Sequence, residues 1–435
     1  MRINVISPDI VTYGAMVIGG VLREQGHDLF ISRSLEPAGA DILMLSLYST
    51  QHLLDERIRR LIASHQENGG RCYVGGPVSA HPAMVLSELL PDAVVVGEGE
   101  VTAPRLVQEG PSPDIPGIAY MEEAGMVYTG PSPPAPMERP LPLIPADIGE
   151  QNVRGANVYI ETHRGCIGGC GFCQVPRFFG REVRSRRIGD ILTEVEAFKN
   201  AGAWRISISG GTGSLYASSR GRINPGAFAD LLAGIAGIVG AKNLSSPDIR
   251  VDCITDEVLD AIRDHTIGWV FFGIESGSEQ VLRRMRKGTT VDQVREAVDR
   301  CRSHGLQVAG SFIVGYPGES PEDYQRTKDL IAELSLDDVF VSVAEPIPGT
   351  PLADLVLSTP EDENPVYMPH SGEYRALGLS EAEARAFDLM LHADLYKSRL
   401  TLGDARTFDL YLAEVRKQGS DIRAATACLF RYGNV

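Results

Sequence analysis

"RGCIGGCGFC", residues 164–173, places three cysteines, Cys166, Cys170 and Cys173, among glycines, with an arginine two residues before the first. Three thiols are one short of a closed tetrahedral zinc site and an odd number for disulfides. Soft thiolates suit zinc or an iron–sulfur cluster. A zinc ion would want a fourth Cys or His nearby, and the loop has none. His163 directly precedes the run, but its side chain is expected to point back along the preceding strand. In a four-iron cluster, three cysteines leave one iron with an open position, which is what catalysis at a metal requires. The glycines let the backbone wrap closely and turn its amides toward the sulfides. A structural zinc and three unrelated thiols are the other readings this spacing leaves open.

The run follows "NVYIET" (157–162), the first of six strand-like segments. The others are "RISIS" (205–209), "DIRVDCI" (248–254), "WVFFGIE" (269–275), "VAGSFIVG" (308–315) and "VFVSVA" (339–344). Helical patterns such as "GDILTEVEAFKNAG" (189–202) lie between them. Residues 151–355 are therefore expected to form a partial (β/α)6 barrel, with its chemistry at the carboxyl ends of the strands. Residues 1–129 alternate apolar β-type runs, "RINVIS" (2–7), "ADILMLSLY" (40–48), "RCYVGG" (71–76) and "AVVVG" (93–97), with helical stretches. That pattern predicts a Rossmann-like doubly wound parallel sheet, so the fold class is α/β. The regularity fades after Gly97. Proline-rich "GPSPPAPMERPLPLIP" (130–145) marks an extended linker over 130–150. Residues 356–435 read as a small helical region, clearest at "SEAEARAFDLMLHADLY" (380–396).

Lysine and arginine total 41 against 57 acidic residues, a net charge of −16, which argues against non-specific nucleic-acid binding. No apolar run approaches the roughly 18 residues of a membrane span. "MRINVISPDIVTYG" reads as a first strand rather than a signal peptide. Seven cysteines, three of them clustered, fit a metal site in a reducing cytoplasm better than a secreted disulfide scaffold.

The cysteine run, with the aromatic Phe172 before its last thiol, resembles the CxxxCxxC signature of the radical S-adenosylmethionine (SAM) superfamily. The resemblance implies a 4Fe–4S cluster held by Cys166, Cys170 and Cys173. The open iron would chelate SAM, and one electron from the cluster would cleave it to methionine and a 5′-deoxyadenosyl radical. "SISGGTG" (207–213) is similar to the family's GGE-type motif, with Thr212 where an acidic residue is common. The SAM amino group would then contact backbone carbonyls around Gly210, Gly211 and Thr212. Glu275 and Ser276 of "GIESGS" (273–278) would meet the ribose hydroxyls or the methionyl carboxylate. "GSFIVGYPGES" (310–320), containing Val314, and "EPIPGTPL" (345–352) look like further elements of the superfamily.

A doubly wound sheet binds its ligand over the carboxyl ends of its strands. Those ends carry "SPDIVTYG" (7–14), "SLYSTQ" (46–51), "GGPVSAHP" (75–82) and "GEGE" (97–100). With "GGVLREQGHD" (19–28) they resemble the cobalamin-binding domain that precedes many radical SAM domains. The resemblance assigns cobalamin contacts to Tyr13, Ser46, Tyr48, Ser49, Gly75, Gly76, Pro77, Val78, Gly97, Glu98, Gly99 and Glu100. No DxHxxG follows the first strand, so cobalamin is expected to lack a histidine lower ligand. His52 and His81 are expected to be solvated loop residues.

The two-domain order is similar to that of cobalamin-dependent radical SAM methyltransferases. In that family one SAM methylates cobalamin and a second supplies the radical that opens an unactivated sp3 carbon to methylation. The layout is nearest to a methanogen subgroup that includes the C-methyltransferase acting on a glutamine of methyl-coenzyme M reductase. It implies a protein or peptide substrate, a post-translational modification, and an electron donor such as a ferredoxin or flavodoxin, with neither nucleic acid nor membrane as partner. A cobalamin-dependent radical cyclase, an RNA methylthiotransferase and an iron–sulfur or cobalamin carrier are the alternatives. The methylthiotransferase reading wants three cysteines in the N-terminal domain and a basic tail. Tyr367, His370 and Tyr374 of "PVYMPHSGEY" (365–374) would line a substrate channel or a surface loop.

Overall fold

The computed structural model describes residues 1–246, 248–398 and 404–434. The N-terminal sheet begins with β1 (Arg2–Ile6), α1 (Tyr13–Glu24), β2 (Asp28–Ser32), β3 (Ile42–Ser46), α2 (Glu56–Glu67), β4 (Arg71–Gly75), α3 (Pro82–Leu89), β5 (Ala93–Val95) and α4 (Thr102–Glu109). Strand order is β2-β1-β3-β4-β5, all parallel. Alternate residues of β3 serve opposite faces: Leu43 and Leu45 pack with Ile58, Ile62 and Val85, whereas Ile42 and Met44 pack with Leu22, Tyr73 and Leu106. A strand buried on both sides is apolar along its buried length, as Ile42 to Leu45 are.

The sheet departs from the wholly parallel expectation at one edge. β6 (Ile118–Glu122) and β7 (Gly125–Tyr128) form a hairpin that pairs antiparallel with β5. This is the segment where regularity fades in sequence, because β7 is only half-buried and carries no continuous apolar run. Edge strand β2, half-buried over most of its length, hides for the same reason.

The proline-rich segment is not a free tether. The Leu143 amide donates to the carbonyl of Met16 at 2.7 Å, and Arg23 donates to the carbonyl of Leu141 at 2.8 Å. A Cβ on Gly20 would lie 2.3 Å from the Leu141 carbonyl oxygen. Gly19 and Gly20 of α1 thus admit the linker backbone and do not line the cavity over this sheet.

The second domain runs β8 (Val158–Glu161), β9 (His163–Arg164), α5 (Val175–Phe178), β10 (Arg184–Ser185), α6 (Ile188–Asn200), β11 (Ile206–Ser209), α7 (Pro225–Val239), β12 (Leu244–Ser245) and α8 (Asp256–His265). It continues with β13 (Trp269–Glu275), α9 (Glu279–Arg284), α10 (Val291–Ser303), β14 (Gln307–Val314), α11 (Pro321–Leu334), β15 (Asp338–Val343) and α12 (Pro351–Ser358). Strands β12-β11-β8 and β13-β14-β15 are two parallel triplets, joined by a single bridge between Ile249 and Phe272. The strand expected over 248–254 is not formed. Its chain turns at Arg250–Cys253, where the Cys253 amide donates to the Arg250 carbonyl, and Asp252 grips the Arg250 side chain.

Two helices close the chain, α13 (Glu381–Tyr396) and α14 (Ala405–Tyr432). Gln418 of α14 accepts from the Val343 amide on the free edge of β15. Farther along, Cys428 and Leu429 pack into the core of the N-terminal sheet, and Arg431 and Tyr432 both donate to Glu88 of α3. The C-terminal region therefore straps the two domains together. Tyr374 donates to Asp388 and stacks on His370, which pairs with Glu381, and Tyr367 donates to the Arg423 carbonyl. These three aromatic residues line none of the cavities described below. Among the described residues no helix is long and apolar enough to cross a membrane.

Gly20→Ala forces the linker off α1 and is expected to cost about 1–3 kcal/mol in urea denaturation. Gly237→Ala, on an exposed helical position with open space around it, is expected to stabilise by up to about 1 kcal/mol.

Candidate active site

The cysteine run lies after β8, at the carboxyl end of the barrel's first strand. All three thiols are free, with Cys166 and Cys170 buried and Cys173 half-buried. Burial pushes the Cys173 thiol up to about 11, with the neighbouring Cys170 and Cys166 adding to the rise. Among the described residues no three Cys, His, Asp or Glu side chains close on one point as ligands of a single ion would. Three thiols on one glycine-rich loop, each able to take its own iron, fit a polynuclear cluster, and the charge of such a cluster would hold them as thiolates.

The loop is fixed from both sides. Gly171 donates its amide to the Met285 carbonyl at 2.7 Å and accepts from the Leu352 amide at 2.9 Å, tying it to the ends of α9 and α12. His163 is fully interior and faces the second barrel loop: Nε2 pairs with the Thr212 carbonyl at 3.1 Å and Nδ1 with Thr162 Oγ1 at 2.9 Å. Gly210, at φ +153°, passes so near that a Cβ would lie 2.5 Å from the imidazole. The side chain expected to point back along the strand instead supports the "GGT" turn. The Thr212 carbonyl, one of those left for the SAM amino group, is engaged by it. Burial lowers His163 to about 4, against the opposing pull of its carbonyl acceptor.

A cavity of about 1030 Å³ fills the barrel interior, with Phe172 and Glu275 in its wall beside Ser311 and Ile313. Glu275 sits at a bulge in β13 with φ +70°, a backbone state costly for a branched-off side chain and concentrated at functional sites. Its carboxylate accepts from Lys287 Nζ at 2.7 Å, and Lys287 also lies over the Phe172 ring. Lys287 escapes sequence reading because "RMRKG" resembles any solvated basic helix end; its burial is the signal. Ser276 lies apart. Its hydroxyl is within 3.2 Å of Thr327 Oγ1 and accepts from the Ser278 amide, lining neither cavity. Val314 is buried at the end of β14, also outside the cavity wall.

A second cavity, about 410 Å³, lies over the carboxyl ends of the N-terminal strands. Ten of the twelve residues expected there line it: Tyr13, Ser46, Tyr48, Gly75, Gly76, Pro77, Gly97, Glu98, Gly99 and Glu100. Ser49 instead caps the turn at Thr50–Leu54, and Val78 packs in the core. The opposite wall is Gln174, Val175, Phe178 and Phe179, the residues immediately after Cys173, and Gln174 donates to the Pro77 carbonyl. A glycine-paved floor under an aromatic roof fits a broad planar macrocycle. Among the described residues no histidine lines this cavity. His52 is buried against Asp9 and Tyr48, and His81 caps α3 and meets the Gly433 carbonyl, so neither is the solvated loop residue expected.

Glu98 and Glu100, expected to face a ligand, spend their carboxylates on arginines. Arg164 contacts Glu98, Glu100 and Glu161; Arg184 contacts Glu98; Arg139 contacts Glu161 at 2.6 Å; and Arg186 contacts Glu194 at 2.7 Å. The Tyr13 phenol joins them, donating to Glu194 at 2.5 Å and accepting from Arg139 and Arg186. Against the cost of its burial, Arg164 and Arg139 hold the Glu161 carboxyl below the usual carboxylate range. Four guanidinium groups and four carboxylates balance in charge, as a buried cluster must.

Residues 160–331 match the radical SAM superfamily. A Methanocaldococcus jannaschii protein described as a candidate methylthiotransferase is 51% identical over 99% of this chain and 96% of its own length. The chain belongs to the radical SAM superfamily. The tRNA-2-methylthio-N(6)-dimethylallyladenosine synthase of Acidithiobacillus ferrooxidans is 29% identical over 81% of this chain and 78% of its own. In fold, the chain is similar to the radical SAM methyltransferase TsrM of Kitasatospora setae, a structure with cobalamin and a 4Fe–4S cluster bound. Their TM-score is 0.68 at 16% identity, over 98% of this chain and 99% of that one. It is also similar to the cobalamin-dependent radical SAM enzyme OxsB, with TM-score 0.62 at 20% identity, over 78% of this chain and 53% of that one.

Arg164→Ala leaves three buried carboxylates without their central partner and is expected to destabilise by about 3–5 kcal/mol in chemical denaturation. Below pH 6.5 the unfolded chain takes up a proton at His163 that the fold refuses until about pH 4. Stability is therefore expected to fall as pH drops through that window, at steepest about 1.4 kcal/mol per pH unit. His163→Gln should lack this slope when urea midpoints are compared above and below it.

Proposed function

We propose that this radical SAM enzyme is a cobalamin-dependent C-methyltransferase acting on an unactivated sp3 carbon. One observation carries the reading: the cavity over the N-terminal strand ends is roofed by the residues that directly follow Cys173. A group bound there lies against the cluster loop, so two reactive centres would share one interface. Cobalamin in that cavity would supply a methyl group to a carbon that has lost a hydrogen atom. Such a carbon has no lone pair with which to attack a sulfonium, so SAM alone does not serve.

Several of the assigned residues have a part in this scheme. Cys166, Cys170 and Cys173 would hold a 4Fe–4S cluster, which would supply the electron that cleaves the co-substrate SAM. Glu275, fixed by Lys287, would meet the ribose hydroxyls from the wall of the barrel cavity, with Phe172 in the same wall, while the Gly210–Gly211 turn lies against Gly165 and Cys166. Ser46, Gly75, Gly76, Gly97 and Gly99 give the macrocycle a floor without bulk. Among the described residues the cavity wall offers no histidine that would bind cobalt. The electron comes from a ferredoxin- or flavodoxin-like donor. A peptide is the acceptor class that the resemblance to the methanogen subgroup implies. A glutamine of methyl-coenzyme M reductase, to which the layout pointed, has no counterpart in the names of the relatives cited above.

Those names favour a second reading, methylthiolation. Against it, the N-terminal domain holds a single cysteine, Cys72, buried in β4 with its thiol pushed up by burial to about 12. The chain's net charge of −16 also opposes tRNA.

Anaerobic reconstitution with iron, sulfide and hydroxocobalamin, followed by reductant, SAM and candidate peptides, separates the readings. Formation of 5′-deoxyadenosine with S-adenosylhomocysteine and a peptide heavier by one methyl group is expected. Sulfur incorporated with the methyl group points to methylthiolation, and deoxyadenosine alone points to a cyclase. Cys170→Ala is expected to abolish deoxyadenosine; turnover surviving it would overturn the cluster assignment. Electron paramagnetic resonance of bound cob(II)alamin is expected to lack imidazole-nitrogen superhyperfine splitting.

A further inference from the structure

Arg250 lies in the loop that replaces the expected strand over 248–254, and it is nine-tenths buried. Its guanidinium is fixed on one side. Nε and Nη2 donate to the two carboxylate oxygens of Asp252, both at 2.9 Å, and Nη2 also donates to the Lys287 carbonyl at 3.1 Å. Nη1 is left with one partner among the described residues, Cys170 Sγ at 3.8 Å. The approach to the cysteine loop is through Gly168, where a Cβ would lie 3.1 Å from Nη1 and 3.4 Å from Cys166 Sγ. A glycine at this position keeps that corridor open.

We propose that Arg250 is a positioning residue for the cluster: it orients the Cys170 thiolate through an N–H···S hydrogen bond and sets the cluster's reduction potential by placing fixed positive charge beside that ligand. The proposal rests on the three thiols taking a 4Fe–4S cluster. Reduction adds one electron to the cluster, from the 2+ to the 1+ state, and breaks no bond. The more negative state is therefore stabilised by a donor and a cation held against the sulfur. Asp252 has the opposite effect. Its carboxylate orients the guanidinium while partly offsetting its charge at the cluster. The pair thus acts as an oriented dipole, positive end toward Cys170, with the guanidinium held by Asp252 and the Lys287 carbonyl. Two other nearby cations are committed elsewhere, Lys287 to Glu275 and Arg177 to the backbone carbonyls of Cys170 and Cys173, so neither substitutes for this contact.

The test is a redox titration with dithionite of the full, anaerobically reconstituted chain, followed by electron paramagnetic resonance of the reduced cluster. Iron and sulfide content, measured first, reports on the cluster reading itself: loss of cluster from the wild-type chain would sink that reading rather than this one. Arg250→Gln is expected to shift the midpoint to more negative values and Asp252→Asn to more positive values. Arg263→Gln, which removes the same unit of charge at the surface, is expected to leave it in place. Opposite signs are the signature, because a merely structural role for the pair would move both variants the same way. An unchanged midpoint in Arg250→Gln overturns the proposal. If that variant does not retain cluster, Asp252→Asn decides: a positive shift supports it, and no shift or a negative one overturns it.

Discussion

The structure depends on a buried ion network centred on Arg164. A guanidinium removed from water is tolerable only with carboxylates in good geometry around it, and here those carboxylates come from both domains. Glu98 and Glu100 extend from the N-terminal sheet, and Glu161 from the barrel's first strand. Because Arg164 stands two residues before Cys166, the same interaction that joins the domains fixes the start of the cysteine loop. The distance between the two cavities is therefore set by ion pairs, which have little tolerance in direction. An apolar interface of equal area would permit sliding. For chemistry divided between two bound groups, that rigidity is the relevant property.

The cysteine loop and the glycine-lined strand ends were legible in the sequence because their chemistry is local. Spacing within ten residues defines Cys166, Cys170 and Cys173, and a strand followed by glycine announces its own end. What remained hidden depends on residues far apart in the chain. Glu98 reads as ligand-facing until Arg184, 86 positions later, takes its carboxylate. Gly19 and Gly20 read as part of a cofactor motif, yet they serve a linker that begins about a hundred residues on. "DIRVDCI" alternates like a strand, and only the pull of Asp252 on Arg250 shows why the chain turns there. The β6–β7 hairpin had too little burial to imprint a period, so an exposed edge reads as irregular sequence.

The loop around Arg250 shows how a failed local expectation can carry information. A full strand over 248–254 would join the two triplets into one sheet, and instead Ile249 makes one bridge to Phe272 and the chain turns at Arg250–Cys253. Interruptions of regular structure next to reactive groups commonly aim a side chain that regular geometry would misdirect. Glu275, held at positive φ at a bulge in the neighbouring strand, is a second instance on the same rim. The barrel is regular where it is packed and irregular at the rim that carries Arg250 and Glu275.

Helix α14 has a consequence in time as well as space. Gln51 meets the Asp421 carbonyl 370 residues along the chain, and Glu88 meets Arg431 after 343. During synthesis both sheets can form before this helix leaves the ribosome, since domains fold as units in the order they emerge. Until it docks, the free edge of β15 and the surface of α3 around Glu88 stay uncovered. The order of translation thus leaves the enzyme assembled but open for a period, with its two halves complete and its final clasp still unmade.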